Sequence, residues 1–163
     1  IQPLYETYWL AGMRSKIGLS TEDILDQELI NDLLKLMEKG QADFTLVFRR
    51  LSQVLRGDSN AVRNIFKEPE AFDPWVERWQ KRLRQEKVEM ETMAQEMDKV
   101  NPIYIPRNHK VEEALASAVN QDMNPFSKLL EVITNPFNEV AGNEAYSEPA
   151  PVTNRPYRTF CGT

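Results

Sequence analysis

ELINDLLKLMEKGQADFTLVFRRLS, residues 28–52, places apolar side chains at helical spacing on both sides of a glycine. Leu25, Leu29, Leu33 and Leu36 share one face before Gly40. After it, Phe44, Val47, Phe48, Leu51 and Leu55 fall at i, i+3, i+4, i+7 and i+11. A helix turns once in 3.6 residues, so each set forms one stripe that needs a partner surface. Two such helices in tandem predict an all-α fold, and no lasting strand-like alternation occurs elsewhere.

Upstream, the spacing predicts a helix over 3–16 with Tyr5, Trp9 and Met13 on one stripe and Gly18 as its stop. Ser20 and Asp23 stand at capping-box distance before the next helix. Downstream, residues 57–60 read as a turn and a short helix carries Ile65 and Phe66. Asp73-Pro74 marks a helix start: the carboxylate caps, and proline at the first position loses no needed N–H. Trp75, Trp79 and Leu83 follow at i, i+4 and i+8, opposite a charged set, Arg78, Lys81, Arg82, Arg84 and Glu86, that reads as a solvated face. Met90, Met93, Met97 and Val100 continue the apolar stripe as one long helix or a helical hairpin.

Asn-Pro then recurs at Asn101, Asn124 and Asn135. Proline disfavours helical geometry in the residue before it, so each pair marks a boundary. Two short helices lie between, with Val111, Leu115 and Ala118 on one and Phe126, Leu129, Leu130 and Ile133 on the other. Past Asn135 the periodicity fails among Pro136, Pro149, Pro151 and Pro156. The expected organisation is therefore an irregular multi-helix domain, 1–135, and an extended, proline-containing C-terminal tail, 136–163. Phe137, Tyr146, Tyr157 and Phe160 are available to pin that tail to another surface.

With 163 residues and 41% hydrophobic content, the chain suits a real core without staples. A net charge of −5 argues against nucleic acid or an anionic membrane as the main partner. No apolar run approaches the roughly 20 residues that span a bilayer, and no signal-peptide pattern opens the chain. The single cysteine cannot form an internal disulfide, which fits a reducing compartment. Because the first residue is Ile1, not methionine, the chain is read as a fragment of a longer protein.

Candidate chemistry is sparse. One cysteine, Cys161, and one histidine, His109, cannot supply the four ligands of a structural zinc site, and no calcium loop occurs. No glycine-rich phosphate loop is present; Asp43-Phe44-Thr45 lacks the glycine of a kinase D-F-G, and Phe44 is read as core. A Cys161–His109 hydrolase is disfavoured because a thiol three residues from the chain end has no scaffold of its own. His109 reads as solvent-facing. Cys161 is kept as a redox candidate, since a tail thiol reaches a partner. No catalytic, cofactor-binding or metal residue is expected.

Several stretches resemble the C-terminal part of the selenoprotein O family of kinase-like protein adenylyltransferases. YWLAGMRSKIGL, from Tyr8, is similar to its M-R-x-K-L-G-[LF] segment. The stretch from Glu28 to Ser52 is similar to its L-x-x-L-M and D-[YF]-T-x-x-F-R-x-L pattern. FDPWVERWQKRL from Phe72, VNPIYIPRN from Val100 and LLEVITNPFNE from Leu129 follow in the family's order, and the closing FCGT resembles its terminal cysteine or selenocysteine motif. Pro106, His109-Lys110 and Gly162-Thr163 depart from the frequent family residues. The departure around Arg107 leaves that segment's role open.

The resemblance implies a larger enzyme that uses ATP and magnesium to transfer AMP to Ser, Thr or Tyr hydroxyls of proteins. Its nucleotide and metal residues belong to an upstream kinase-like domain, and none maps onto this chain. Only Cys161 maps to a position of family interest, a C-terminal redox residue that in some members pairs with a cysteine of the kinase-like part. The expected partners are that upstream domain and the protein substrates, in the cytoplasm of a bacterium or the mitochondrion of a eukaryote. A stand-alone helical interaction module is the competing expectation.

Overall fold

A computed structural model describes residues 2–152. Two compact units divide the chain, Ile1–Pro102 and Ile103–Thr163. The first holds α1 (Gln2–Lys16), α2 (Asp26–Lys39), α3 (Phe44–Leu55), α4 (Asn60–Arg63), α5 (Asp73–Leu83) and α6 (Met90–Val100). The second holds α7 (Asn108–Val119), α8 (Asn124–Ile133) and α9 (Glu144–Ser147). Among the described residues no strand forms, so the fold is all-α.

The stripes read from the sequence meet in the core of the first unit. Leu29, Leu33, Val47, Phe48, Leu51, Leu83, Met93 and Met97 are buried there. Phe66, Phe72, Trp75 and Trp79 form a ladder of stacked rings, with successive centroids 5.0, 5.6 and 5.5 Å apart. Each buried indole keeps its N–H satisfied. Trp75 Nε1 donates to the Leu29 carbonyl and Trp79 Nε1 to that of Ile17, both at 2.8 Å. An unpaired indole N–H in this core would forfeit a hydrogen bond and lower the stability.

Four helix ends close in one way. After α1, Gly18 adopts φ +81°, its N–H bonds the Ser15 carbonyl, and the Leu19 N–H bonds that of Arg14. This is the Schellman arrangement, which uses up carbonyls the last turn leaves open. Gly57 repeats it after α3. Gln41 and Gln121 repeat it after α2 and α7 although they carry a Cβ, with φ of +49° and +65°. Helix α2 does close at Gly40, its C-cap, but the left-handed residue is Gln41, so the glycine answers a different need. A Cβ there would stand 2.8 Å from the Phe66 ring.

Several local expectations change. Ser20 and Asp23 do not form a capping box: α2 starts at Asp26, and the Ser20 hydroxyl donates to Glu86. Asp73 does not cap α5 either; its carboxylate faces Arg63 at 3.2 Å. The true carboxylate cap is Asp43, which accepts from the Leu46 N–H at 2.9 Å at the start of α3. Phe44 is 48% exposed, leaning on Phe48 at 4.8 Å instead of entering the core. Of the two arrangements expected for residues 73–100, the single long helix is excluded: two helices form, parted by a 3-10 turn (Arg84–Glu86) and a left-handed Lys87 at φ +53°. In α7 the buried residue is Ala114, while Leu115 is exposed.

In the second unit α7 and α8 pack together, and Ile103, Tyr104, Leu129 and Val132 are buried. Residues 136–152 are irregular apart from α9 and are held by polar contacts. The Ile103 N–H donates to the Pro136 carbonyl at 2.8 Å, the Val140 N–H to the Tyr104 hydroxyl at 2.9 Å, and the Arg107 guanidinium to the Ser147 carbonyl at 2.9 Å.

Candidate functional site

The groups with the strongest electrostatic perturbation lie in the first unit, where the 20–26 loop meets the end of α5. Glu86 has no exposed side-chain surface. It accepts from the Ser20 hydroxyl and N–H at 2.6 and 3.0 Å, the Thr21 hydroxyl at 2.7 Å and Arg82 Nη1 at 2.8 Å. Burial disfavours its charge, but the Ser20 and Thr21 donors and Arg82 outweigh burial and hold the carboxyl down at about 2.

Asp26 is equally enclosed, with Arg14 Nε and Arg82 Nε each 2.7 Å from its two oxygens and the Asp23 N–H at 2.9 Å. Burial acts against its ionisation too, and the hydrogen bonds from Arg82 and Arg14 prevail, keeping it below the ordinary carboxylate range. Arg82 links the two carboxylates and donates to the Thr21 carbonyl at 3.0 Å. The solvated face expected for residues 78–86 is thus wrong at Arg82 and Glu86: both turn inward, because the buried carboxylates need a cation.

A second polar node ties α1, α3 and α6. Arg49 Nη1 donates to the carbonyls of Asp98 and Asn101 at 2.8 and 3.0 Å, and Asp98 accepts from Ser52 at 2.6 Å and Arg56 at 2.9 Å. Asn101 exchanges bonds with Lys16, accepting from its ammonium at 3.1 Å and donating to its carbonyl at 2.9 Å. The same ammonium stands 5.1 Å from the Phe48 ring, and burial lowers its pKa. These side chains point into one another and leave no acid–base pair aimed at a reactant. Their chemistry is structural: they clamp loops onto helices.

Cys161 lies outside the described residues. His109 is half-buried in the first turn of α7, in a shallow pocket with Ile105, Pro106, Arg107, Asn108 and Ala150. Nothing in the sequence marks Asp26, Arg82 and Glu86 as one cluster, since Asp26 lies 56 residues before Arg82. The i,i+4 spacing of Arg82 and Glu86 was the one local signal. Among the described residues no group of three His, Cys, Asp or Glu could hold a metal ion, and the buried carboxylates are already saturated with donors. The residues present here do not fit an ATP–magnesium site.

The family model for protein adenylyltransferase SelO matches residues 1–134. The chain belongs to the SelO family. It is 44% identical over 159 residues to the protein nucleotidyltransferase YdiU of Sphingopyxis alaskensis, an alignment covering 98% of this chain and 33% of that protein. The Rhodopseudomonas palustris protein of the same description is 45% identical over 162 residues, and that of Rhizobium meliloti 41% over 163. Each alignment covers 98% of this chain and 33% of the relative. The SelO chain described here therefore spans about a third of the length of the curated relatives it matches. Among its described residues no helix is long and apolar enough to cross a membrane.

Proposed function

We propose that this chain is the helical supporting part of a protein adenylyltransferase that transfers AMP from ATP to Ser, Thr or Tyr hydroxyls of proteins. The observation that carries the reading is the family match over residues 1–134, joined to relatives that are nucleotidyltransferases about three times as long. In this reading an upstream kinase-like domain binds ATP and magnesium, and the enzyme works in the cytoplasm. The helical part contributes packed helices, and in its first unit Arg82, Asp26 and Arg49 are engaged in internal clamps. Cys161 adds a redox response through a thiol of the upstream domain.

A protein hydroxyl that displaces pyrophosphate at the α-phosphorus keeps the α label and releases the γ label. The test incubates the complete gene product with magnesium, an acceptor protein and ATP labelled at either position. Label retained from the α position alone is expected; retention from the γ position alone would mean phosphate transfer and would overturn the reading. For the thiol, Cys161→Ser is expected to remove oxidant sensitivity of AMP transfer, and unchanged sensitivity would sink that role.

A further inference from the structure

On a surface helix the outer face ordinarily carries the charges and the inner face is apolar. The first helix packs Trp9, Leu10 and Met13 on the core in the ordinary way, but apart from the exposed Glu6 its charges do not lie outside. Its cations turn inward, Arg14 to Asp26 at 2.7 Å and Lys16 to the Asn101 side chain at 3.1 Å. Its outer arc holds Leu4, Tyr5, Tyr8, Ala11, Gly12 and Ser15, which at 3.6 residues per turn fall within about 120° of one another. None is charged. Leu4, Tyr5 and Tyr8 are 60, 68 and 70% exposed, and the Ser15 hydroxyl is turned back onto the Ala11 carbonyl at 3.2 Å.

Gly12 adds an independent observation. A glycine inside a helix is unfavourable relative to alanine. Packing among the described residues gives no reason for it, since a Cβ at Gly12 would meet nothing of theirs within 4 Å. A neighbouring backbone passing close to this face would supply the reason. About two thirds of the length of the relatives lies outside the matched region, so the same polypeptide is long enough to provide that neighbour.

We propose that the Leu4–Tyr8–Gly12 face of α1 docks the part of its own polypeptide that lies outside these 163 residues, through an uncharged surface that approaches the helix backbone at Gly12. The proposal rests on reading the chain as one part of a longer adenylyltransferase. It adds which surface makes the joint and what chemistry the opposite surface must have.

The test places the photoreactive residue benzoylphenylalanine at Tyr8 in the complete gene product, with the exposed Glu38 of α2 as the control position. The expected product is a cross-link within one chain, from position 8 to a peptide outside residues 1–163, at a yield well above that from position 38. Cross-links between two copies, cross-links confined to residues 1–163, or a yield no higher than the control would overturn the proposal. Gly12→Ala gives a second reading in the same protein. Helix propensity alone raises the melting temperature, whereas a close neighbour makes it fall; a fall is expected and a rise would overturn close approach at Gly12. Neither readout involves nucleotide chemistry. A position-8 cross-link without α-label transfer would keep the docking face and remove the adenylyltransferase reading.

Discussion

Glu86 shows how one side chain joins distant parts of the sequence. Its carboxyl titrates near 2 in the folded protein against 4.5 for an unperturbed glutamate. The unfolded chain therefore takes up the proton first as pH falls. The contribution of Glu86 is present above about 4.5 and is lost between there and about 2, amounting to about 3 kcal/mol. Urea unfolding of the chain and of Glu86→Gln from pH 6 to pH 2.5 checks this. The gap between the two is expected to be widest at pH 6 and to narrow on acidification, and parallel curves would refute it. Trp79→Phe removes the donor to the Ile17 carbonyl while keeping most of the ladder packing, with an expected loss of about 1–3 kcal/mol. A denaturation midpoint unchanged in Trp79→Phe would show that this hydrogen bond adds nothing.

At the scale of the element, the helix ends make a sharp comparison. Gly18 and Gly57 take left-handed geometry freely, but Gln41 and Gln121 take it against the Cβ clash that disfavours φ > 0. Gln41→Gly and Gln121→Gly are each expected to stabilise by a few tenths to about 1 kcal/mol, read as a higher thermal midpoint. Gly18→Ala is expected to lose more than about 1 kcal/mol, because strain at φ +81° adds to a Cβ 2.9 Å from the Met97 sulfur. An equal response at Gly18 and Gln41 would show that backbone geometry does not govern these ends. Helix positions were legible because Leu29, Leu33, Val47, Leu51, Trp75 and Trp79 keep the 3.6 period that burial requires. The polar partners were not, since a period says which face is apolar and nothing about which Arg turns inward. Arg82 and Arg78 look alike in sequence, yet Arg82 is 8% exposed between two carboxylates while Arg78 makes one outer pair with Asp32. Ser20 departs from its expected capping role for the same reason: a hydroxyl near a helix start serves whichever acceptor needs it more, here Glu86.

Across the whole molecule, burial is concentrated in the first unit, where α2, α3, α5 and α6 share one aromatic and aliphatic core. Among the described residues the second unit buries fewer large side chains and leaves Leu115, Val119 and Leu130 exposed. Amide exchange is accordingly expected to be slowest in α3 and α5 and faster in α7 and α8. Uniform protection across the chain would contradict that ranking. The membership and the fold class were legible at this scale, from ordered motifs spread over most of the chain. The polar clamps of the first unit were not legible beyond the Arg82–Glu86 spacing. Cys161 came from its place in a tail motif and lies outside the described residues, while the α1 face became visible only once each side chain's exposure was known. The ring ladder has a practical consequence for anyone who studies unfolding. All three tryptophans, Trp9, Trp75 and Trp79, belong to Ile1–Pro102. An intrinsic emission trace excited at the red edge, where tyrosine is dark, therefore draws all its signal from side chains of that unit. Following the α7–α8 pair from within takes a probe introduced there.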